Sequence, residues 1–286
     1  MPSHVLNDTD IASQTIFIHS TDAVLNISDA EKVYYLNQAI VAPPGFRLLV
    51  GLSNATFANS MFNVTSTTNG IKFVTSSGNF TVTIPVGNYT ARTIATAIET
   101  GSSSAGLTGM SVLFNANNNT FTFSHSSFKI QSTTMFRQLG LRGQTVEDGG
   151  NFSSAVSSYT TQDICDLGGV TNVYVRIKNL TMNNLDSKGN TTNTIANIIN
   201  NTNYGGYLFY SAPETLYYQI QESSIGHLNI ELSSQNGDLI EMNGCEYNLT
   251  ITIHYVKQRE NERRSSLLRQ IESNYETKKE SKNKSP

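Results

Sequence analysis

The stretch His227–Tyr255, HLNIELSSQNGDLIEMNGCEYNLTITIHY, decides how the chain folds. At its far end Leu249, Ile251, Ile253 and Tyr255 alternate with Asn248, Thr250, Thr252 and His254. Successive strand side chains point to opposite faces, so a period of two gives one dry face and one wet face. Leu228, Ile230 and Leu232 repeat the pattern upstream. Between the two runs stand Asn236-Gly237 and Asn243-Gly244, pairs that tolerate the positive φ of tight turns. The segment predicts a β-hairpin in an antiparallel sheet with one buried face. Leu228, Ile230, Leu249, Ile251 and Ile253 are its expected core residues.

Outward from this segment the same period recurs in FRLLVGL, IKFV, SVLFN, TFTFSH, VYVRIKNL (Val173–Leu180), YLFYS and LYYQI. NFTVTIP places Phe80, Val82 and Ile84 on one face. The segment 1–44 reads as an N-terminal arm with an edge strand at Thr15–Ser20, followed by VYYLNQAIV and the break Pro43-Pro44-Gly45. One helix is signalled by Thr90 as N-cap, the apolar stripe of Ala91, Ile94, Ala95 and Ile98, and Gly101 as a stop. A second, short one lies in TTMFRQLG, and Asn183–Asn203 reads as a surface loop. Many short strands with polar turns predict a mainly β chain: an antiparallel jelly-roll β-sandwich with one or two short helices in loops. The expected domains are an arm at 1–44, a jelly roll at 45–257 and a charged helical or disordered tail at 258–286.

Charged residues make up only 14% of the 286 residues, well below the roughly 25% usual for soluble domains. Nine of the 19 Lys and Arg lie between Lys257 and Lys284, with five of the 22 acids. The body therefore carries ten bases against 17 acids, and the tail is basic. Within the tail Leu267, Ile271 and Tyr275 fall at i, i+4 and i+8, one face of a helix. That stripe reads either as a solvated extension or as a partner-docking helix. The opening MPSHVLNDTD has neither the basic start nor the apolar core of a secretory leader. Cys165 and Cys245 read as free thiols. About a dozen Asn-x-Ser/Thr sequons, among them Asn54, Asn63, Asn79 and Asn88, are glycan sites or chance in an Asn- and Thr-rich chain.

No catalytic constellation stands out. His4, His19, His125, His227 and His254 have no zinc-binding spacing, and there is no phosphate-binding loop or nucleophile elbow. Asp163 and Asp166 in QDICDLGG could serve a cation or simply favour turns. The expectation is a protein that is not an enzyme and needs no metal or cofactor.

Four segments carry a family likeness: LLVGLSNATFANSMFNV (Leu48–Val64), VTIPVGNYTARTIATAIET, SVLFNANNNTFTF with STTMFRQLGL, and the opening stretch. In this order they resemble the jelly-roll penton or minor capsid proteins of virophages, polinton-like elements and large icosahedral double-stranded DNA viruses. The resemblance implies a structural capsid protein of the virion, assembled in the host cytoplasm or a viral factory. It implies a homopentamer at five-fold vertices beside the major capsid protein. It also implies a tail turned inward, touching other minor capsid proteins, with nucleic acid or membrane as less favoured partners. The competing readings are a non-vertex minor capsid protein and a β-sandwich attachment module that binds host glycans.

Overall fold

Alternating apolar residues give seventeen strands among the residues that the computed structural model describes, 12–141, 155–182, 184–185, 189–235 and 237–257. Four strands open the chain: β1 (Ala12–His19), β2 (Leu25–Asn26), β3 (Glu31–Val41) and β4 (Phe46–Ala58). Then come β5 (Gly70–Thr75), β6 (Gly78–Thr83), α1 (Ala91–Ser104), β7 (Ser111–Asn115), β8 (Thr120–Thr133), α2 (Phe136–Leu139) and β9 (Val156–Thr160). The chain continues with β10 (Asn172–Ile177), β11 (Asn184–Leu185), β12 (Thr191–Thr192), β13 (Thr194–Ile199) and β14 (Tyr207–Ser211). It ends with β15 (Tyr218–Gln219), β16 (Ser224–Ser233) and β17 (Tyr247–Lys257).

Two compact units result. The first holds 1–58, 172–199 and 207–286; the second holds 59–171 and 200–206. The first is a sandwich of two antiparallel sheets, ordered β1-β17-β4-β14 with β15 also on β4, and β13-β10-β16-β3-β2. Its eight principal strands are β1, β3, β4, β10, β13, β14, β16 and β17. The first pairs with the eighth, the second with the seventh, the third with the sixth and the fourth with the fifth. A ribbon folded on itself in this way is a jelly roll.

Dry faces meet across the sheets. Leu249, Ile251 and Ile253 of β17 pair with Ala55, Leu52 and Val50 of β4, and all six are buried. Within the other sheet Leu232 and Ile230 of β16 pair with Val175 and Ile177 of β10, and these four are fully buried, as are Leu228 and Val173. A register shift in β4 skips Ser53, so the buried set Leu48, Val50, Leu52 resumes as Ala55 and Phe57. The extra residue of such a bulge resets which face a side chain takes.

Three sequence expectations change here. The opening stretch is not a hairpin, because β16 and β17 lie in different sheets. Asn243 and Gly244 do form a tight turn, with φ of 50° and 75° and Cys245 N–H donating to Met242 O at 2.9 Å. That turn, however, belongs to a crossover whose Ile240 and Met242 are buried. The arm expected at 1–44 is, over its described residues 12–44, part of the roll: β1 is the expected edge strand, paired with β17 through eight residues, but β3 is an interior strand. Within Asn183–Asn203, expected as loop, β13 pairs with β10 and buries Ile195, Ala196 and Ile198. Its Asn and Thr neighbours hide that alternation in the sequence.

The second unit divides the segment expected as one domain at 45–257. Its sheet runs β6-β5-β8-β7, with β9 on β8. Phe73, Phe121, Phe123 and Phe128 are buried in it with Ile94 and Ile98 of α1. Thr90 caps α1, and Thr90 and Thr93 satisfy each other's backbone N–H. Gly101 does not stop the helix. A Cβ there would meet Val82 Cγ1 at 2.9 Å, so glycine lets α1 lie close on β6.

One polar contact ties the two sheets of the roll together. The Tyr34 hydroxyl on β3 donates to the Tyr247 hydroxyl on β17 at 3.0 Å, and both residues are buried. Burial first, then the Tyr34 hydroxyl, pushes the Tyr247 phenol far above its ordinary value; burial also raises Tyr34. Raised phenol values in the folded state mean that the unfolded chain ionises first. Their contribution is therefore complete below about pH 10 and lost as pH rises above it. We expect wild type to lose stability steeply in alkali, and Tyr34→Phe/Tyr247→Phe to lose markedly less, by denaturant titrations at pH 7 and pH 11. Equal alkaline losses would remove the pair from this role.

Candidate functional site

Apart from His254, whose two ring nitrogens are buried with no hydrogen-bond partner among the described residues, the described residues singled out for chemistry have ordinary structural partners. His19 Nδ1 accepts from Thr21 N–H at 3.4 Å, and its Nε2 lies 3.6 Å from Glu246. His125 Nδ1 accepts from Ser127 N–H at 3.3 Å, and His227 stacks on Tyr35. His254 meets Tyr217 edge-on, and burial lowers its imidazole pKa. Asp166 Oδ1 accepts from Gly168 N–H at 3.1 Å, a turn-forming bond. Among the described residues no group of three His, Cys, Asp or Glu could hold a metal. Cys165 and Cys245 are free thiols. His4 and the tail stripe Leu267, Ile271 and Tyr275 lie outside the described residues.

Two surfaces remain as candidates. The first is a cleft of about 240 Å³ in the second unit. Two buried asparagines and a half-buried one build it. Asn63 Oδ1 accepts from Tyr89 N–H at 2.9 Å while its Nδ2 donates to Tyr89 O at 2.8 Å and Leu167 O at 3.0 Å. Asn59 Nδ2 donates to Thr202 O at 2.9 Å and to Asn200 Oδ1 at 3.3 Å. Asn200 Nδ2 donates to Val170 O at 2.8 Å. Three amides thus fix four chain segments. Gly169, at φ +64°, places its backbone so near Asn63 that a Cβ would stand 3.3 Å from the Asn63 Cβ. These bonds also settle one sequon. Asn63 is 7% exposed with its amide engaged, so it is no glycan acceptor in the folded chain, whereas Asn54, Asn79 and Asn88 are exposed.

The second surface is the outward face of sheet β1-β17-β4-β14. Its two edge strands carry exposed aromatics: Phe17 (80% exposed) on β1, and Tyr207 (60%) and Phe209 (78%) on β14. The row between them is polar, Phe17 pairing with Thr250, Thr250 with Asn54 and Asn54 with Ser211. An edge strand left open with an apolar side chain is a docking site for another chain. On the other sheet the charges are paired instead. Lys178 Nζ lies 2.8 Å from Glu31 and 3.2 Å from Glu231, which also meets Arg176 at 3.2 Å.

No family model matches the sequence. No curated protein matches it either. Among solved structures the mavirus penton protein aligns over 86% of this chain and 99% of its own, at 10% identity and a TM-score of 0.49. A chain of the Sputnik virophage, solved by cryo-electron microscopy, aligns over 87% of this chain and 98% of its own, at 11% identity and a TM-score of 0.40. Both scores fall below one half, so neither likeness decides what this chain does.

Proposed function

We propose that this chain is a structural capsid protein whose copies close a five-membered ring at an icosahedral vertex, beside the major capsid protein. The observation that carries the reading is the pair of unlike margins on one sheet. A closed ring is heterologous: one flank of each copy meets the other flank of the next. Phe17 on one edge and Tyr207 and Phe209 on the other supply two such flanks. The jelly-roll pairing order and the sequence resemblance to penton and minor capsid proteins support the same reading. The tail, by that resemblance, turns inward; its apolar stripe of Leu267, Ile271 and Tyr275, set among interleaved charges, docks on an adjacent capsid subunit.

Native mass measurement at high protein concentration tests the flanks. Wild type is expected as a pentamer, while Phe17→Asp alone and Phe209→Asp alone stay monomeric. An equimolar mixture of the two variants should give a dimer and nothing larger, since each keeps one intact flank. Rings that survive either substitution would discard these margins. A particle reconstruction placing the chain away from every five-fold axis would discard the vertex role itself. In the same particles, Leu267→Ser/Ile271→Ser should lower incorporation, and unchanged incorporation would remove the docking stripe.

A further inference from the structure

We infer that the asparagine-built cleft of the second unit is a binding site for a neutral carbohydrate. Every residue lining it is uncharged. A charged ligand would be desolvated there without a counter-charge, which is costly. A purely apolar ligand would strand the amides at the rim. The class that remains is neutral and rich in hydroxyls, with one less polar face.

The rim supplies matching groups. The side-chain amides of Asn88 and Asn203 are exposed and have no partner among the described residues. Each presents two donors and an acceptor, the complement of neighbouring sugar hydroxyls. Tyr204 is 46% exposed, and its ring stacks on Phe62 with centroids 5.7 Å apart. That backing holds the phenol as a platform for the C–H face of a pyranose. Asn59, Asn63 and Asn200 spend their amides inside the protein, so the cleft is formed before any ligand arrives and little ordering is lost on binding. With about 240 Å³ available, one sugar ring fits and the affinity for a single ring is on the order of millimolar. The cleft residues belong to the second unit, and Phe17, Tyr207 and Phe209 belong to the first.

The test is saturation-transfer NMR on the full chain with the methyl glycosides of glucose, galactose, mannose and N-acetylglucosamine. Sialic acid and glucose 6-phosphate serve as charged controls. At least one neutral glycoside should bind saturably, with at least ten-fold stronger binding than either charged sugar. Tyr204→Ala and, on a separate segment, Asn88→Ala should each weaken that binding at least ten-fold with thermal stability unchanged. Should Tyr204→Ala shift stability, Asn88→Ala and Tyr204→Phe, the latter retaining binding, carry the test alone. Absence of binding by all four glycosides, equal binding of a charged sugar, or binding that survives Asn88→Ala overturns the site. Native mass is unaffected in every case, which separates this outcome from the fate of the ring.

Discussion

An Ile251→Asp chain is expected not to fold. Ile251 is fully buried on β17 and pairs with Leu52, also buried, on β4. Aspartate there removes a core aliphatic side chain, which costs roughly 2–5 kcal/mol. It also buries a carboxylate with no cation opposite, a further penalty of several kcal/mol. Domains of this size have only about 5–15 kcal/mol in hand. Expression should yield insoluble protein, or soluble protein with no cooperative thermal transition. Asparagine at neighbouring Thr250, which faces outward and is half-buried, should be tolerated. A soluble, cooperatively melting Ile251→Asp chain would mean that the central position of β17 is wrong.

Gly140→Ala is expected to damage the second unit in particular. Gly140 ends α2 at φ +68°, where a residue with a side chain is strained by roughly 1–2 kcal/mol. Space is the larger obstacle. An added Cβ would stand 2.1 Å from Asp163 O and 2.8 Å from Asp163 C, both backbone atoms. The Asp163 N–H donates to Gly140 O at 3.0 Å, so moving one strand of chain breaks the other's bond. Hydrogen exchange should show lost protection at Leu139–Leu141 and Thr161–Cys165, with β4 and β17 unchanged. Unaltered exchange at those residues would show that the two segments do not approach as described.

Much of this fold was legible in advance, and the failures have physical causes. The strand faces of Leu228, Ile230, Leu249, Ile251 and Ile253 followed from alternation alone, because burial on one face imposes a period of two. Which strands pair was not legible: Asn243-Gly244 makes the same local turn whether it joins neighbours in one sheet or carries the chain to another. The helix start at Thr90 was readable from its cap, but Gly101 misled, because its reason for being glycine is Val82, which approaches from β6. The cleft was hidden for a related reason. Asn59, Asn63 and Asn200 look like surface or sequon residues, and only tertiary structure shows them buried or half-buried with their amides engaged. A usable signal was present in Gly168-Gly169, since adjacent glycines mark a close backbone approach.

The place of β17 between β1 and β4 sets a timetable for biosynthesis. The two strands it must join are made early, yet their sheet has a gap until residue 257 leaves the ribosome. The second unit needs nothing beyond residue 206, so it can be complete while the roll still waits for its keystone. At roughly 5–20 residues per second the interval is several seconds, and the edge of β4 stays open throughout. Closure of the roll thereby comes after the second unit can fold.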